Sequence, residues 1–265
     1  YTVTEDGSTV PTAYLVADEQ KVTVEYNETA EVPFENIEKT GSITVHKTTE
    51  GQKNIEGIKF YLRGTSDSGR AIDIPATTDK DGIAKFDGVP IGTYMVIEDE
   101  ETVPYGYLVA DEKEVKVEYA QTIDETILNA EQTGTVQVHK KTDGMTNIEG
   151  IRFILSGVSD TGREINIPAI TDKDGIAKFE NVPIGTYTIT EDGSTVPYGY
   201  LVADSKQVTV TYAQTIDTDM FNEKVPDTPN TGVSDNVDGR TVLGGVVVIL
   251  AGAAVVMFSR KRKER

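Results

Sequence analysis

The sequence predicts an all-β chain: tandem β-sandwich repeats, followed by a linker and one C-terminal transmembrane helix. Three observations carry this. One pattern begins at Tyr1 (YTVTEDGSTVPTAY), Tyr94 (YMVIEDEETVPYGY) and Tyr187 (YTITEDGSTVPYGY), at intervals of 93 residues, so the chain is a tandem array. Between these landmarks, apolar and polar residues alternate in short runs broken by Gly, Pro and Asp, and no run shows an apolar stripe at helical spacing. Close to the C-terminus, Val242–Phe258 carries no charge over 17 residues, the short end of what crosses a bilayer.

Taken in order, residues 1–39 are the second half of a repeat, and 40–132 and 133–225 are complete units. Aligned on each other, the two units are identical at about two positions in three, and each has the size of one small domain. Within the first unit the strand-like runs are Ser42–Thr48, Ile58–Leu62, Ile83–Phe86, Thr93–Ile97 and Glu114–Tyr119. The breakers between them are Arg63-Gly64, Asp81-Gly82, Pro90-Ile91-Gly92 and Pro104-Tyr105-Gly106. Short strands with such turns at close spacing read as an antiparallel sandwich. Residues 226–240 are polar and Pro/Gly-bearing, as expected of an extended linker. Residues 241–259 form the predicted membrane helix, and 260–265 a basic tail that belongs on the cytoplasmic side, with the repeats outside the cell. The chain opens inside a repeat without Met or a signal peptide, so it reads as the C-terminal piece of something longer.

Composition narrows the function. The chain has 44 acidic and 25 basic residues, a net charge of −19 and a pI near 4.5, which argues against nucleic acid as a partner. It has no cysteine and two histidines, which excludes disulfides and thiolate metal sites. No phosphate-binding Gly loop, Ser/His/Asp set or metal cluster is legible, so neither a cofactor nor a metal is expected. Asp79-Lys80-Asp81-Gly82 echoes the start of a calcium loop but lacks the later ligands, and an Asp-Gly hairpin turn is the expectation. His46 and His139 fall on a polar strand face.

Strand parity places three polar residues where core is expected. Tyr94, Val96 and Glu98 share a face, as do Tyr187, Ile189 and Glu191, and Tyr1, Val3 and Glu5. In the first strand of each unit, Lys47 follows Ile43 and Val45, and Lys140 follows Val136 and Val138. In the last strand, Asn129 lies two beyond Ile127 and Asn222 two beyond Met220; Asn36 lies two beyond Phe34. A buried lysine loses pKa and its neutral amine becomes a nucleophile. A buried Glu is pushed up and can shuttle protons. Attack of the amine on the Asn Cγ would give a Lys–Asn isopeptide bond, formed once per domain, with no turnover and therefore no enzyme activity. Parity alone is equally compatible with a buried Lys–Glu ion pair whose Asn satisfies backbone groups.

The first strand with its lysine, the TDKDGIAKF hairpin, VPIGTY and the Tyr-x-x-x-Glu…Pro-x-Gly-Tyr stretch resemble the prealbumin-like SpaA-type repeats of Gram-positive surface proteins, also known as collagen-adhesin B-type repeats. The resemblance spans residues 1–225. It implies isopeptide crosslinks Lys47–Asn129 and Lys140–Asn222, with Glu98 and Glu191 catalytic; the partial repeat keeps Glu5 and Asn36, and its lysine is expected upstream. The spacer after the glutamate, EDEETVPYGY or EDGSTVPYGY, departs from the family's usual wording and is longer.

Thr228-Pro229-Asn230-Thr231-Gly232, the apolar span and the basic end resemble an LPxTG-like sortase sorting signal, with Thr228 where leucine is usual. The resemblance implies sortase and peptidoglycan as partners, cleavage between Thr231 and Gly232, and passage through the membrane before anchoring to the cell wall. The function expected is a structural stalk that projects an upstream adhesive domain. Two alternatives remain at this point: the repeats themselves bind host matrix protein or glycan, or the stalk carries a cell-surface enzyme.

Overall fold

The computed structural model describes residues 1–51, 55–144 and 148–226; the linker beyond them, the sorting-motif residues Thr228–Gly232, the expected membrane helix 241–259 and the basic tail lie outside the described residues. Among the described residues no helix is long and apolar enough to cross a membrane. Helical structure there is confined to two 3-10 turns, Glu100–Thr102 and Gly193–Thr195.

Every other element is a strand. In residues 1–39, β1 (Thr2–Val3) pairs antiparallel with β2 (Gln20–Lys21). The first complete repeat contains β3 (Thr40–Thr49), β4 (Lys59–Ser66), β5 (Ala71–Thr77), β6 (Ile83–Pro90), β7 (Gly92–Glu98), β8 (Lys113–Val117) and β9 (Thr122–Asn129). The second repeats them as β10 (Thr133–Thr142), β11 (Arg152–Ser159), β12 (Glu164–Ile170), β13 (Ile176–Pro183), β14 (Gly185–Glu191), β15 (Lys206–Val210) and β16 (Thr215–Asn222). In each repeat a three-stranded sheet, β6-β3-β9 or β13-β10-β16, faces a four-stranded sheet, β5-β4-β7-β8 or β12-β11-β14-β15.

Alternation drives this pairing of sheets. In β3, Gly41, Ile43, Val45 and Lys47 are buried while their neighbours are less so, and in β7 Tyr94, Val96 and Glu98 are buried in the same way. The inward faces meet in one core per repeat, built in the first from Ile43, Val45, Phe60, Leu62, Phe86, Tyr94, Val96 and Ile127. Tyr94 enters it whole because its hydroxyl donates to Pro90 O at 2.8 Å; Tyr187 does the same to Pro183 O at 2.8 Å. Satisfying that hydroxyl removes the main cost of burying a tyrosine.

Three features of the strands differ from the sequence reading. The sandwich is not wholly antiparallel: β3 pairs with β9, and β10 with β16, in parallel. The neighbours meet across the whole repeat, and two-residue periodicity carries no information on strand direction. Arg63-Gly64 is not a break, since β4 runs through it to Ser66. The glycine is needed there because a Cβ would lie 2.9 Å from Thr93 O and from the Tyr94 ring. A further strand, β5, contains Pro75 and lies at a sheet edge, the place where a missing N–H costs no ladder bond.

The Asp79–Gly82 segment is a tight turn, but not the expected hairpin: the strands it joins, β5 and β6, lie in different sheets. Asp79 Oδ1 accepts from the backbone N–H groups of Asp81 and Ile83, both at 2.9 Å, and Gly82 takes φ +76°. His46 and His139 sit on the outer face beside Asp124 and Asp217, at 3.2 and 2.8 Å.

Gly41 sits where β3 shifts register against β6, and a Cβ there would stand 2.5 Å from Glu118 O and 2.7 Å from Gln121 O. Gly41→Ala is therefore expected to cost the first repeat about 1–3 kcal/mol, read as an earlier urea midpoint. Gly88→Asn should stay within about 0.5 kcal/mol, because nothing lies within 4 Å of the added carbon and Asn181 already holds the corresponding turn at φ 53°. Equal midpoints for the two variants would show that the turn carbonyls do not hold β3 this closely.

Candidate functional site

Lys47 lies near the end of β3, and its register partner in the parallel pair is Ile127; Asn129, two residues on in β9, pairs with Thr49. Both side chains fall on the inward face of the same sheet, as diagonal neighbours. Glu98 closes β7 in the opposite sheet, across from Phe60 of β4. One sheet thus supplies amine and amide, and the other supplies the carboxylate between them. Strand alternation alone aims all three into the core.

The carboxylate joins the set. Lys47 Nζ stands 3.3 Å from Glu98 Oε1, and Asn129 Nδ2 donates to Glu98 Oε2 at 2.9 Å. The Ala110 backbone N–H adds a third contact to Oε2 at 2.8 Å. The second repeat reproduces this: Lys140 Nζ to Glu191 Oε1 3.1 Å, Asn222 Nδ2 to Glu191 Oε2 2.9 Å, and Ala203 N–H to Glu191 Oε2 2.8 Å. All six side chains are buried, none more than 6% exposed. The lysine amines also donate to Ile127 O at 3.1 Å and Met220 O at 3.2 Å, and Lys140 Nζ lies 6.0 Å from the centre of the Phe153 ring.

Burial pushes both lysine pKa values below the ordinary 10.5, and the paired carboxylate only partly offsets it. Asn129 Oδ1 and Asn222 Oδ1 are buried and have no hydrogen-bond partner, and Glu98 Oε1 and Glu191 Oε1 have none besides the ion-paired amine. Buried oxygens without hydrogen bonds are costly where the only gain is stability. Here they belong to an amide and to the carboxylate that pairs with a buried amine.

All six residues expected of the two complete repeats come together. Glu5 and Asn36 of the partial repeat also meet: Asn36 Nδ2 donates to Glu5 Oε2 at 2.8 Å, and Ala17 N–H donates to the same oxygen at 2.7 Å. The backbone donors at Ala17, Ala110 and Ala203 were missed from the sequence, because a backbone N–H has no signature there. The one available signal was the recurring Tyr-Leu-Val-Ala-Asp run that carries all three.

The Bacillus anthracis TIE protein is similar at 27% identity, with a TM-score of 0.52 over 72% of this chain. This chain spans 35% of that protein. The Streptococcus agalactiae minor pilin GBS52 matches 76% of this chain and 100% of its own at 18% identity and a TM-score of 0.33. The Lactobacillus rhamnosus GG shaft pilin SpaA matches 72% of this chain and 100% of its own at 14% identity, also with a TM-score of 0.33. No curated protein sequence matches the chain. The SpaA prealbumin-like fold domain matches twice, over residues 41–131 and 134–224, one match on each complete repeat, and the chain belongs to that family.

Proposed function

We propose that the chain is the stalk of a bacterial surface protein, each complete repeat being locked by an autocatalytic Lys–Asn isopeptide bond. The observation that carries this is the buried trio, with a carboxylate held between an amine and an amide on adjacent strands. In the reaction, the ammonium of Lys47 passes a proton to Glu98, which burial of the amine favours. Half a turn of the Asn129 amide puts Oδ1 on the protonated Glu98, which polarises the carbonyl. The neutral amine then attacks Cγ, the new C–N bond forms and the Cγ–Nδ2 bond breaks. Two of the three ammonium protons end on the departing nitrogen, which leaves as ammonium, and Glu98 returns to carboxylate. Lys140, Glu191 and Asn222 act likewise. The folded core holds the reactants in place, so no second enzyme is required.

β3 and β9 are parallel neighbours, so the start of one and the end of the other lie at opposite ends of the repeat. Tension along the array shears that pair. A Lys47–Asn129 bond carries the load from β3 straight to β9 and bypasses everything between. It also closes a loop of about eighty residues, worth about 4–5 kcal/mol by analogy with disulfide closure, in a chain without cysteine. Beyond Val225, the sequence supports anchoring by sortase: Thr228–Gly232 as sorting motif, the peptidoglycan as acceptor, and residues 241–259 as a temporary membrane span.

The direct test is the intact mass of protein spanning residues 1–225. Each bond expels ammonia, so two bonds lower the mass by about 34 Da, and Glu98→Ala or Glu191→Ala should each restore about 17 Da. Folded protein at full sequence mass would leave only buried ion pairs and end the crosslink reading.

Forced extension tests the load path. The first repeat of unaltered protein should release no extension between Lys47 and Asn129, whereas Lys47→Ala should release about 280 Å on unfolding. Identical traces would remove the mechanical role.

The lowered lysine pKa sets a pH dependence. In Asn129→Ala, which keeps the lysine without an amide to attack, the folded state gives up the lysine proton before the unfolded chain does. Between the lowered value and 10.5 the unfolded state binds more protons, so stability rises with pH across that window and levels off above it. Denaturant midpoints against pH should therefore climb in Asn129→Ala and stay flatter in Asn129→Ala/Lys47→Met. Parallel curves would mean that Lys47 titrates like a solvated lysine.

A further inference from the structure

Between β9 and β10 the connection is three residues, Ala130-Glu131-Gln132, and the Glu131 side chain is fully buried. A carboxylate in that position needs partners, and they come from the next repeat. Arg163 Nη2 lies 2.8 Å from Glu131 Oε2, and the Thr161 hydroxyl donates to Oε1. Both belong to the β11–β12 turn, Ser159-Asp160-Thr161-Gly162-Arg163, which is formed independently of the glutamate. Ser159 N–H donates to Arg163 O at 2.8 Å, Gly162 N–H donates to Ser159 O at 2.9 Å, and Arg163 N–H donates to Ser159 Oγ at 2.9 Å.

The backbone of Glu131 stays with its own repeat. Its N–H donates to Glu50 Oε2 at 3.0 Å, and it bridges to Tyr107, whose hydroxyl donates to Glu50 O at 3.0 Å. One residue later the next repeat takes hold, as Ile184 N–H donates to Gln132 O at 3.0 Å.

The preceding junction repeats the contacts to the turn, with the Glu38 side chain 22% exposed. Arg70 Nη2 lies 2.9 Å from Glu38 Oε2, the Ser68 hydroxyl donates to Glu38 Oε1, and Ile91 N–H donates to Lys39 O at 3.0 Å. The turn there reads Ser66-Asp67-Ser68-Gly69-Arg70. The motif Ser-Asp-[Ser/Thr]-Gly-Arg occurs twice in the sequence, and each copy follows a glutamate at the 93-residue spacing. The third position of that series is Lys224, where the backbone bridge to Tyr200 persists but no Ser-Asp-[Ser/Thr]-Gly-Arg turn follows in the sequence. Peg and socket occur together and are lost together.

We propose that this turn is a docking socket for the glutamate of the preceding repeat, and that peg and socket fix successive repeats in one relative orientation. The proposal deepens the stalk reading and needs no isopeptide bond.

The absence of cysteine makes spin labelling direct. Labels at Lys80→Cys and Lys173→Cys, both on exposed side chains, report the distance between repeats by electron–electron resonance. Otherwise unaltered protein should give one narrow distance distribution. Glu131→Ala and Arg163→Ala should each broaden it at least about twofold, because repeats joined without a fixed contact move freely. Circular dichroism confirms that each variant is folded; should Glu131→Ala not fold, Arg163→Ala, whose side chain is 41% exposed, decides alone. An equally narrow distribution in the folded variants, or a broad one before mutation, overturns the proposal. Intact mass on the same samples separates the two readings, since loss of the ammonia deficit without broadening strikes the crosslink and leaves the socket standing.

Discussion

An ammonium group does not enter an apolar core unless something offsets its lost hydration, and the architecture of each repeat turns on how this is done. Lys47 and Lys140 lie on the inward face of the first strand, continuing rows that are otherwise Ile and Val. Their compensation must come from the facing sheet, and β7 and β14 end on the required carboxylate. The carboxylate then has a second oxygen to satisfy, and an asparagine and a backbone N–H take it. Each placement forces the next. The result is a set of distances reproduced to within 0.2 Å between two repeats in which about one position in three differs.

A buried ion pair is often no more stabilising than well-packed apolar side chains, and it costs several kcal/mol when only one partner is removed. Retaining one in each complete repeat, together with an asparagine oxygen that has no partner, makes little sense as packing. Under the proposed function, the same arrangement holds reactants ready. The proposed crosslink would convert the buried ammonium and the asparagine amide into one neutral secondary amide, with the positive charge leaving the core on the released ammonium.

Much of this was legible in the sequence because side-chain period in a strand is fixed by geometry. A polar residue two places beyond a row of apolar ones shares their face, which marks Lys47, Glu98 and Asn129; whether that face is buried depends on a covering sheet, and Tyr1 and Val3, on the face of Glu5, stay exposed. What parity does not encode is which strands are neighbours and in which direction. The parallel β3–β9 pair, on which the load argument rests, joins segments some eighty residues apart and became visible only in three dimensions. Gly64 was misread for a related reason: the residue that requires its bareness, Tyr94, is remote in sequence. Ala110 contributes through its backbone, which no side-chain pattern reports. Glu131 was passed over because it lies outside any strand run, where a glutamate ordinarily means solvent.

The two devices resist different deformations, and their placement joins them. A bond between Lys47 and Asn129 resists stretching within a repeat but leaves the connection to the next repeat free to bend. A glutamate docked on the following turn resists bending but bears no load along the chain. Asn129 and Glu131 are separated by Ala130 alone, and Asn36 and Glu38 by Ile37 alone. In the proposed stalk a single residue therefore separates the crosslinked asparagine from the docked glutamate at each junction. At the third junction the spacing persists as Asn222-Glu223-Lys224, with a cation where the peg would be. Under the two proposals the last repeat keeps its internal lock and lacks the external one, at the point where the sequence turns to Pro, Gly and polar residues. In the proposed stalk, the glutamate is thus present at both junctions between repeats and replaced by a cation after the last one.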